Sequence, residues 1–309
     1  MREGDCKITK NIEITSIYSK FARQRHFYMV PINTKKELHK KLNSLLENHT
    51  AGLVPTMGAL HLGHASLIER ALYENDKVVV SIFVNPTQFD NREDLIKYPK
   101  TLDEDMALIK AISSEIIVFT PTITEIYDNA TVSKSYAFNG LEKVMEGAFR
   151  SGHFNGVATI VEALFNLIKP TRAYFGEKDF QQLRIIQKLT EIQKIRVDII
   201  GCPIVREPNG LAMSSRNERL NPLLRQKASF IYETLQAAKQ KFGTENAANI
   251  KEWVEYKFKR HTDFELEYFE ITDVATLTPI QQKIKNTKYR AFIAVFADDV
   301  RLIDNIALN

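Results

Sequence analysis

The stretch VPTMGALHLGH, residues 54–64, places two glycines and two histidines directly after an apolar run that stops at a proline. An apolar periodic segment, ASLIERALYEN, follows, so His61 and His64 stand three apart at the start of a predicted helix, where they can point the same way. Gly58 and Gly63 let a ligand come close to the backbone. The helix start adds free N–H groups and the positive end of a dipole. Together these features predict an anion cradle, with polyphosphate as the anion. A single loop histidine is more often packing than chemistry, but the pair with its glycines is more specific. A metal centre would need a third ligand that the local sequence does not supply.

Three further polar clusters follow apolar runs: NPTQFD at 85–90, GEKD at 176–179 and MSSRN at 213–217. Lys178 can neutralise phosphate as a point charge. Gly176 permits a sharp turn or a close approach. Asp179 can cap the next helix or accept from ribose hydroxyls, and Gln182, three residues on, shares its face. Gln88 is an uncharged amide that both donates and accepts, which suits hydroxyl and carboxyl oxygens. Ser214, Ser215 and Arg216 read either as a capping serine pair or as a phosphate lid, and the lid is favoured because the loop opens a second domain. There is no GxxxxGK[ST], GxGxxG or GxSxG element, and neither cysteine falls in a candidate loop. Histidines, cations and hydroxyls without a covalent nucleophile fit catalysis by positioning and charge stabilisation on a nucleotide.

The elements that must carry these loops alternate. Apolar spacing predicts helices over 35–48, 65–75, 101–113, 155–170 and 180–194, with strands at 51–55, 77–84, 115–119, 173–175 and 196–205. Thr101 with Glu104 reads as a capping box. Alternation of this kind predicts a Rossmann-like, doubly wound parallel α/β sheet, with ligands at the carboxyl ends of its strands. The final third is patterned differently. A PNG turn at 208–210 precedes helices over 222–242 and 246–260, and strands follow at 265–272, 289–297 and 300–306, the last two joined by a hairpin across Asp298-Asp299. That predicts a smaller C-terminal α+β domain. The expected organisation is a leader at 1–28, a nucleotide-binding domain at 29–204 and a lid domain at 205–309.

The 309 residues are 44% hydrophobic and 26% charged, enough for a sizeable core, and no apolar run reaches membrane-spanning length. Two cysteines far apart, Cys6 and Cys202, suggest neither a disulfide framework nor zinc and favour a cytoplasmic, reducing setting. The net charge is +4. The leader carries six Lys/Arg against three acids, so the remainder is nearly neutral and nucleic acid is a poor candidate partner. The leader lacks a secretory apolar core and contains acids, so it reads as a disordered or loosely docked tail, with Met29 as an alternative start.

The blocks VPTMGALHLGH, SIFVNPTQF, EDLIKYP, RSGHFNGVATIV, AYFGEKDFQQL, GLAMSSRN and RLIDN occur in that order, and the chain from about Pro31 onward resembles the pantoate–β-alanine ligases. The HxGH element alone would indicate only the wider nucleotidyltransferase superfamily. The resemblance implies that ATP and pantoate form an enzyme-bound pantoyl adenylate with Mg²⁺, and that β-alanine then attacks it to give pantothenate and AMP. It assigns Met57, Gly58, Ala59, Leu60, His61, Leu62, Gly63 and His64 to the ATP site, with His64 in a catalytic role. Gly176, Glu177, Lys178 and Asp179 continue that site, and Val205 with Met213, Ser214, Ser215 and Arg216 completes it. Gln88 and Gln182 would hold pantoate, and Gln88 would lie near β-alanine. The resemblance also implies a homodimer. Lys100, Ser151, Ala163, Asn209 and Ala297 depart from the family pattern, none of them in an assigned position. Two rivals remain: a nucleotidylyltransferase, which would need a cationic acceptor site where NPTQF and FQQL offer neutral amides, and a non-catalytic nucleotide-binding module.

Overall fold

The computed structural model describes residues 29–43, 49–128 and 130–309. The leader at 1–28 and the C-terminal end of the first predicted helix, 44–48, lie outside the described residues.

Five parallel strands form the first sheet: β1 (Ala51–Thr56), β2 (Lys77–Ile82), β3 (Ile117–Phe119), β4 (Arg172–Gly176) and β5 (Asp198–Cys202), in the order β3-β2-β1-β4-β5. Helices α1 (Lys35–Asn43), α2 (Leu62–Glu74), α3 (Arg92–Lys97), α4 (Leu102–Ile112), α5 (Ile123–Tyr127), α6 (Glu146–Phe149), α7 (His153–Ile168) and α8 (Phe180–Ile192) surround it. Both faces of the sheet are covered, which is why its central strands are apolar without alternation. Leu53 and Val79 pack with α1, α7 and α8, while their neighbours Val54, Val78 and Val80 pack with Leu67 and Ile68 of α2 and Ile109 of α4. The chain moves outward from β1 to β3 and returns on the other side as β4. The switch point therefore lies between β1 and β4, the two strands that feed VPTMGALHLGH and GEKD.

Helices α9 (Pro222–Lys227), α10 (Ser229–Phe242) and α11 (Ala247–Lys259) precede the antiparallel sheet β6 (Glu265–Asp273), β7 (Tyr289–Ala297) and β8 (Val300–Ala307), ordered β6-β7-β8. One face of this sheet meets α10 and α11 through Phe269, Ile293 and Val295. The other sends Phe292 and Tyr268 into the core of the first sheet's α7–α8 side. The turn between β7 and β8 carries Asp298 at φ +51, as the Asp-Asp hairpin required.

Three local expectations are corrected. The Thr101 side chain makes no capping bond; its hydroxyl donates instead to Asp105 Oδ1 at 3.3 Å, so the capping box does not form. The helix expected over 222–242 is two, meeting at Ala228. The last parallel strand ends at Cys202 rather than at 205.

Candidate active site

At the end of β1 the backbone turns through Gly58 at φ +83 and Ala59 at φ +50. A carboxylate holds that turn. Asp105, on the buried face of α4, accepts the N–H groups of Ala59 at 3.0 Å and Leu60 at 2.7 Å. A Cβ on residue 58 would lie 2.9 Å from that carboxylate, so the position is closed to other residues both by conformation and by space. His61 is the N-cap of α2: its Nδ1 accepts from Gly63 N at 3.1 Å, and its own N–H donates to His64 Nδ1 at 3.2 Å. The His61 ring folds over Gly63 so closely that a Cβ there would sit 2.8 Å from it.

The expected cradle of free N–H groups is therefore used up in part, mostly in the loop before α2. The amides of Ala59, Leu60, His61 and Gly63 are consumed inside the loop by Asp105 and the two histidines. What the loop offers instead is imidazole. Each histidine accepts at Nδ1, so a neutral ring carries its proton at Nε2 and can donate from there. Neutrality is enforced. Burial, then the Lys178 charge, lowers His61 to about 4. Burial, then His61 and Lys178, keeps His64 well below its ordinary value. The two rings lie 4.1 Å apart.

A chamber opens over the switch point. Met57, His61, Gly63, His64, Gln88, Gly176, Lys178, Asp179, Gln182, Val205, Met213, Ser214, Ser215 and Arg216 all line it. Fourteen positions chosen on sequence thus converge on one space, drawn from the end of β4 and the segments that follow β1, β2, β4 and β5. Gly58, Ala59, Leu60, Leu62 and Glu177 do not line it. Gly58 makes the turn and donates to Thr56 Oγ1, Ala59 and Leu60 are held by Asp105, Leu62 is exposed, and the Glu177 carboxylate pairs with Arg290 of β7 at 3.0 Å.

Gln88 is buried in a 3₁₀ turn, Pro86–Gln88, capped by Asn85. Its Oε1 accepts from Asn85 at 3.3 Å and its amide nitrogen donates only to the Met57 sulfur at 2.9 Å, a weak acceptor that a substrate oxygen can replace. Ser214 Oγ caps the turn beginning at Ser215, accepting from Arg216 N at 3.3 Å, and Ser215 Oγ donates to Ala59 O at 2.9 Å. The capping reading of this serine pair holds for Ser214, and Ser215 ties the second domain to the histidine loop.

Sequence reasoning passed over Asp105, Arg150 and His153. Asp105 had a signal, since it lies four residues before Ile109 on the apolar side of α4, where a carboxylate must find donors. Arg150 and His153 both line the chamber. His153 Nδ1 donates to Gln88 O at 2.7 Å and its Nε2 accepts from Arg150 at 3.2 Å, so this ring too is neutral, lowered to about 4 by burial and then by Arg150. Among the described residues no group of three or more His, Cys, Asp or Glu is arranged to hold a metal.

A family model described as pantoate-beta-alanine ligase matches residues 31–307. The chain belongs to the pantoate–β-alanine ligase family. It is 57% identical over 263 residues to a pantothenate synthetase of Christiangramia forsetii, covering 85% of this chain and 93% of that one. A pantothenate synthetase of Flavobacterium psychrophilum is 56% identical over 264 residues, with 85% and 94% covered. Among solved structures, a pantothenate synthetase of Thermus thermophilus superimposes with a TM-score of 0.82 at 38% identity, covering 90% of this chain and 99% of that one. A Francisella tularensis pantoate–β-alanine ligase, complexed with β-γ ATP and β-alanine, gives a TM-score of 0.75 at 36% identity over 90% and 98%. The ligase joins pantoate to β-alanine to form pantothenate.

Proposed function

We propose that the reaction runs in two steps in the one chamber: ATP and pantoate form pantoyl adenylate and pyrophosphate, and the amine of β-alanine then displaces AMP. The observation that carries this reading is the facing of two neutral, Nε2-protonated histidines by Lys178 and the Met213–Arg216 loop across the β1–β4 switch point. In the first step the pantoate carboxylate attacks the α-phosphorus, negative charge grows on the phosphate oxygens, and pyrophosphate leaves. His61 and His64 donate hydrogen bonds to that charge, and Lys178 and Arg216 balance it. Adenylation moves no proton, and rings held neutral need not supply one. Gln88 and Gln182 present uncharged amides to the pantoate hydroxyl and carboxyl oxygens. In the second step the neutral amine attacks the acyl carbon, the bond to the AMP oxygen breaks with its electron pair staying on the departing phosphate, and the nitrogen's proton passes to that phosphate or to water. Closure of residues 205–309 over the chamber, bonded to the histidine loop by Ser215, keeps water from the adenylate. We place the domain boundary between Ile204 and Val205.

Mg²⁺ fits as a companion of the nucleotide. Asp179 is the one carboxylate among the chamber-lining residues, and a single carboxylate with phosphate oxygens and water is an ordinary Mg²⁺ environment. Bound there, the ion would neutralise phosphate charge. The resemblance supports a homodimer, and the two distant cysteines support a reducing, cytoplasmic setting; light scattering of purified protein reads the mass directly. No helix among the described residues is long and apolar enough to cross a membrane.

The test is purified protein with ATP and Mg²⁺, with pantoate and β-alanine added singly and together. Pyrophosphate with pantoate alone, and AMP with pantothenate once β-alanine joins, is the expected result. Absence of pyrophosphate until both are present would sink the adenylate route.

A further inference from the structure

Beside the chamber lies a second cleft between the two domains, lined in part by Asp94, Lys97, Arg216, Arg219 and Asp299. Its charges form a ladder. Arg216 Nη2 donates to Asp94 Oδ2 at 2.6 Å, and Arg219 Nη1 donates to Asp94 Oδ1 at 3.3 Å. Arg219 Nη2 donates to Asp299 Oδ2 at 2.8 Å, and Lys97 reaches the same oxygen at 3.2 Å. The ladder runs from α3 of the first domain to the 214–219 loop and the β7–β8 turn of the second, crossing the cleft more than once. Three cations and two carboxylates share these bonds, so each carboxylate of the ladder meets two cations.

Arg216 belongs to both spaces, whereas Asp94 lines the side cleft and not the chamber. Asp94 takes one guanidinium nitrogen, Nη2, from outside. An anion in the chamber therefore does not meet the carboxylate head-on, and the rest of the guanidinium fork is left for it. A long, flexible cation loses entropy when it is ordered; a carboxylate that orders it beforehand removes that cost from ligand binding. The carboxylate is ionised for this role. Burial pushes Asp94 up, but the Arg216 hydrogen bond and charge, with Arg150 and Arg219, bring it below its ordinary value.

We propose that Asp94 is a positioning residue that orients Arg216 toward the nucleotide phosphates from outside the chamber, with Arg219 and Asp299 fixing Asp94 in turn. The assignment of Arg216 to the phosphates, made above, underlies this proposal. Asp94→Asn keeps the shape and removes the charge. It raises the KM for ATP about tenfold in the pyrophosphate-forming half-reaction, while the KM for β-alanine and the melting temperature stay near those of the parent. Asp94→Glu recovers part of the loss. An unchanged KM for ATP overturns the proposal. So does a lower one, which would make Asp94 a competitor that the nucleotide displaces. An equal loss for ATP and β-alanine with a lower melting temperature overturns it as well, by showing a domain-docking role only. Arg216→Ala separates the two assignments: if it leaves the KM for ATP unchanged, the phosphate role of Arg216 fails; if it weakens ATP while Asp94→Asn does not, only the positioning role of Asp94 fails.

Discussion

His64 illustrates how a side chain is prepared for one job. Its Nδ1 is occupied by the His61 amide, its ring leans on that of His61, and burial, His61 and Lys178 keep it neutral. Replacement by Ala removes one donor aimed at developing charge, and the pyrophosphate-forming rate should fall by about 10²- to 10³-fold. A melting curve distinguishes this from collapse of the loop, because the Asp105 clamp on Ala59 and Leu60 remains. Gln88 has a different signature. Gln88→Ala should raise the KM for pantoate by about tenfold, the worth of one hydrogen bond of about 1.4 kcal/mol, and leave that for ATP nearly unchanged. Equal losses for both substrates would remove Gln88 from the pantoate site. The role of Asp105 had a trace in the sequence, an acid on an apolar helix face, whereas the packing of His153 between Gln88 O and Arg150 had none, because its partners are 65 residues upstream and three upstream on separate segments.

Strand β8 does more than close the second sheet. Asn305, fully buried at its C-terminal half, donates from Nδ2 to the carbonyls of Glu177 at 2.9 Å and Lys178 at 2.8 Å. Its Oδ1 accepts from Arg290, whose guanidinium also holds the Glu177 carboxylate. The RLIDN block thus serves the GEKD loop through main-chain atoms, and the lysine that faces the chamber is set by a strand of the other domain. Asn305→Ala removes a donor from each of two part-buried carbonyls, a cost of about 1–3 kcal/mol in all. The expected result is a lower melting temperature together with a slower pyrophosphate-forming step. Full activity at temperatures where the variant is folded would show that the loop holds its shape unaided. The order of blocks was legible in the sequence; that RLIDN reaches GEKD was not, since it depends on how β6-β7-β8 docks on the first sheet.

The whole molecule holds several groups away from their ordinary protonation values, and this sets a pH response. His153 is lowered from 6.5 to about 4, and His61 likewise. Below pH 6.5 the unfolded chain binds more protons at these positions than the folded one, so stability is flat above about 6.5 and is lost as pH falls toward 4. For one fully buried histidine the loss is at most on the order of 3 kcal/mol. Glu146 works at the other end. Burial opposes its ionisation, but Arg301, bonded through both carboxylate oxygens at 2.7 and 2.8 Å, brings it to about 2. Its contribution is present above the ordinary 4.5 and lost only as pH falls toward 2, outside the histidine window. Melting temperatures recorded from pH 7.5 to 5 should therefore decline below 6.5, and His153→Asn should flatten that decline. A parent protein whose melting temperature is constant across that range would contradict the neutral state of these rings.

By itself the sequence determined the alternation of apolar strands and amphipathic helices, the shift to an α+β pattern after the last parallel strand, and the loops in which cations, imidazoles and amides gather. Those features are local: they depend on periodicity, on β-branched runs and on residue chemistry within a dozen positions. The tertiary structure alone decided which strands became neighbours, and so put β1 beside β4 and their two loops at one switch point. It also decided that the loop amides of Ala59, Leu60 and His61, with Gly63, would be bonded by Asp105 and the histidines, and that Arg216 would be held by Asp94 across a cleft. Hydrogen-bond partners more than a hundred residues apart are chosen by docking geometry, and a buried donor or carboxylate accepts whichever complementary group packing brings within reach.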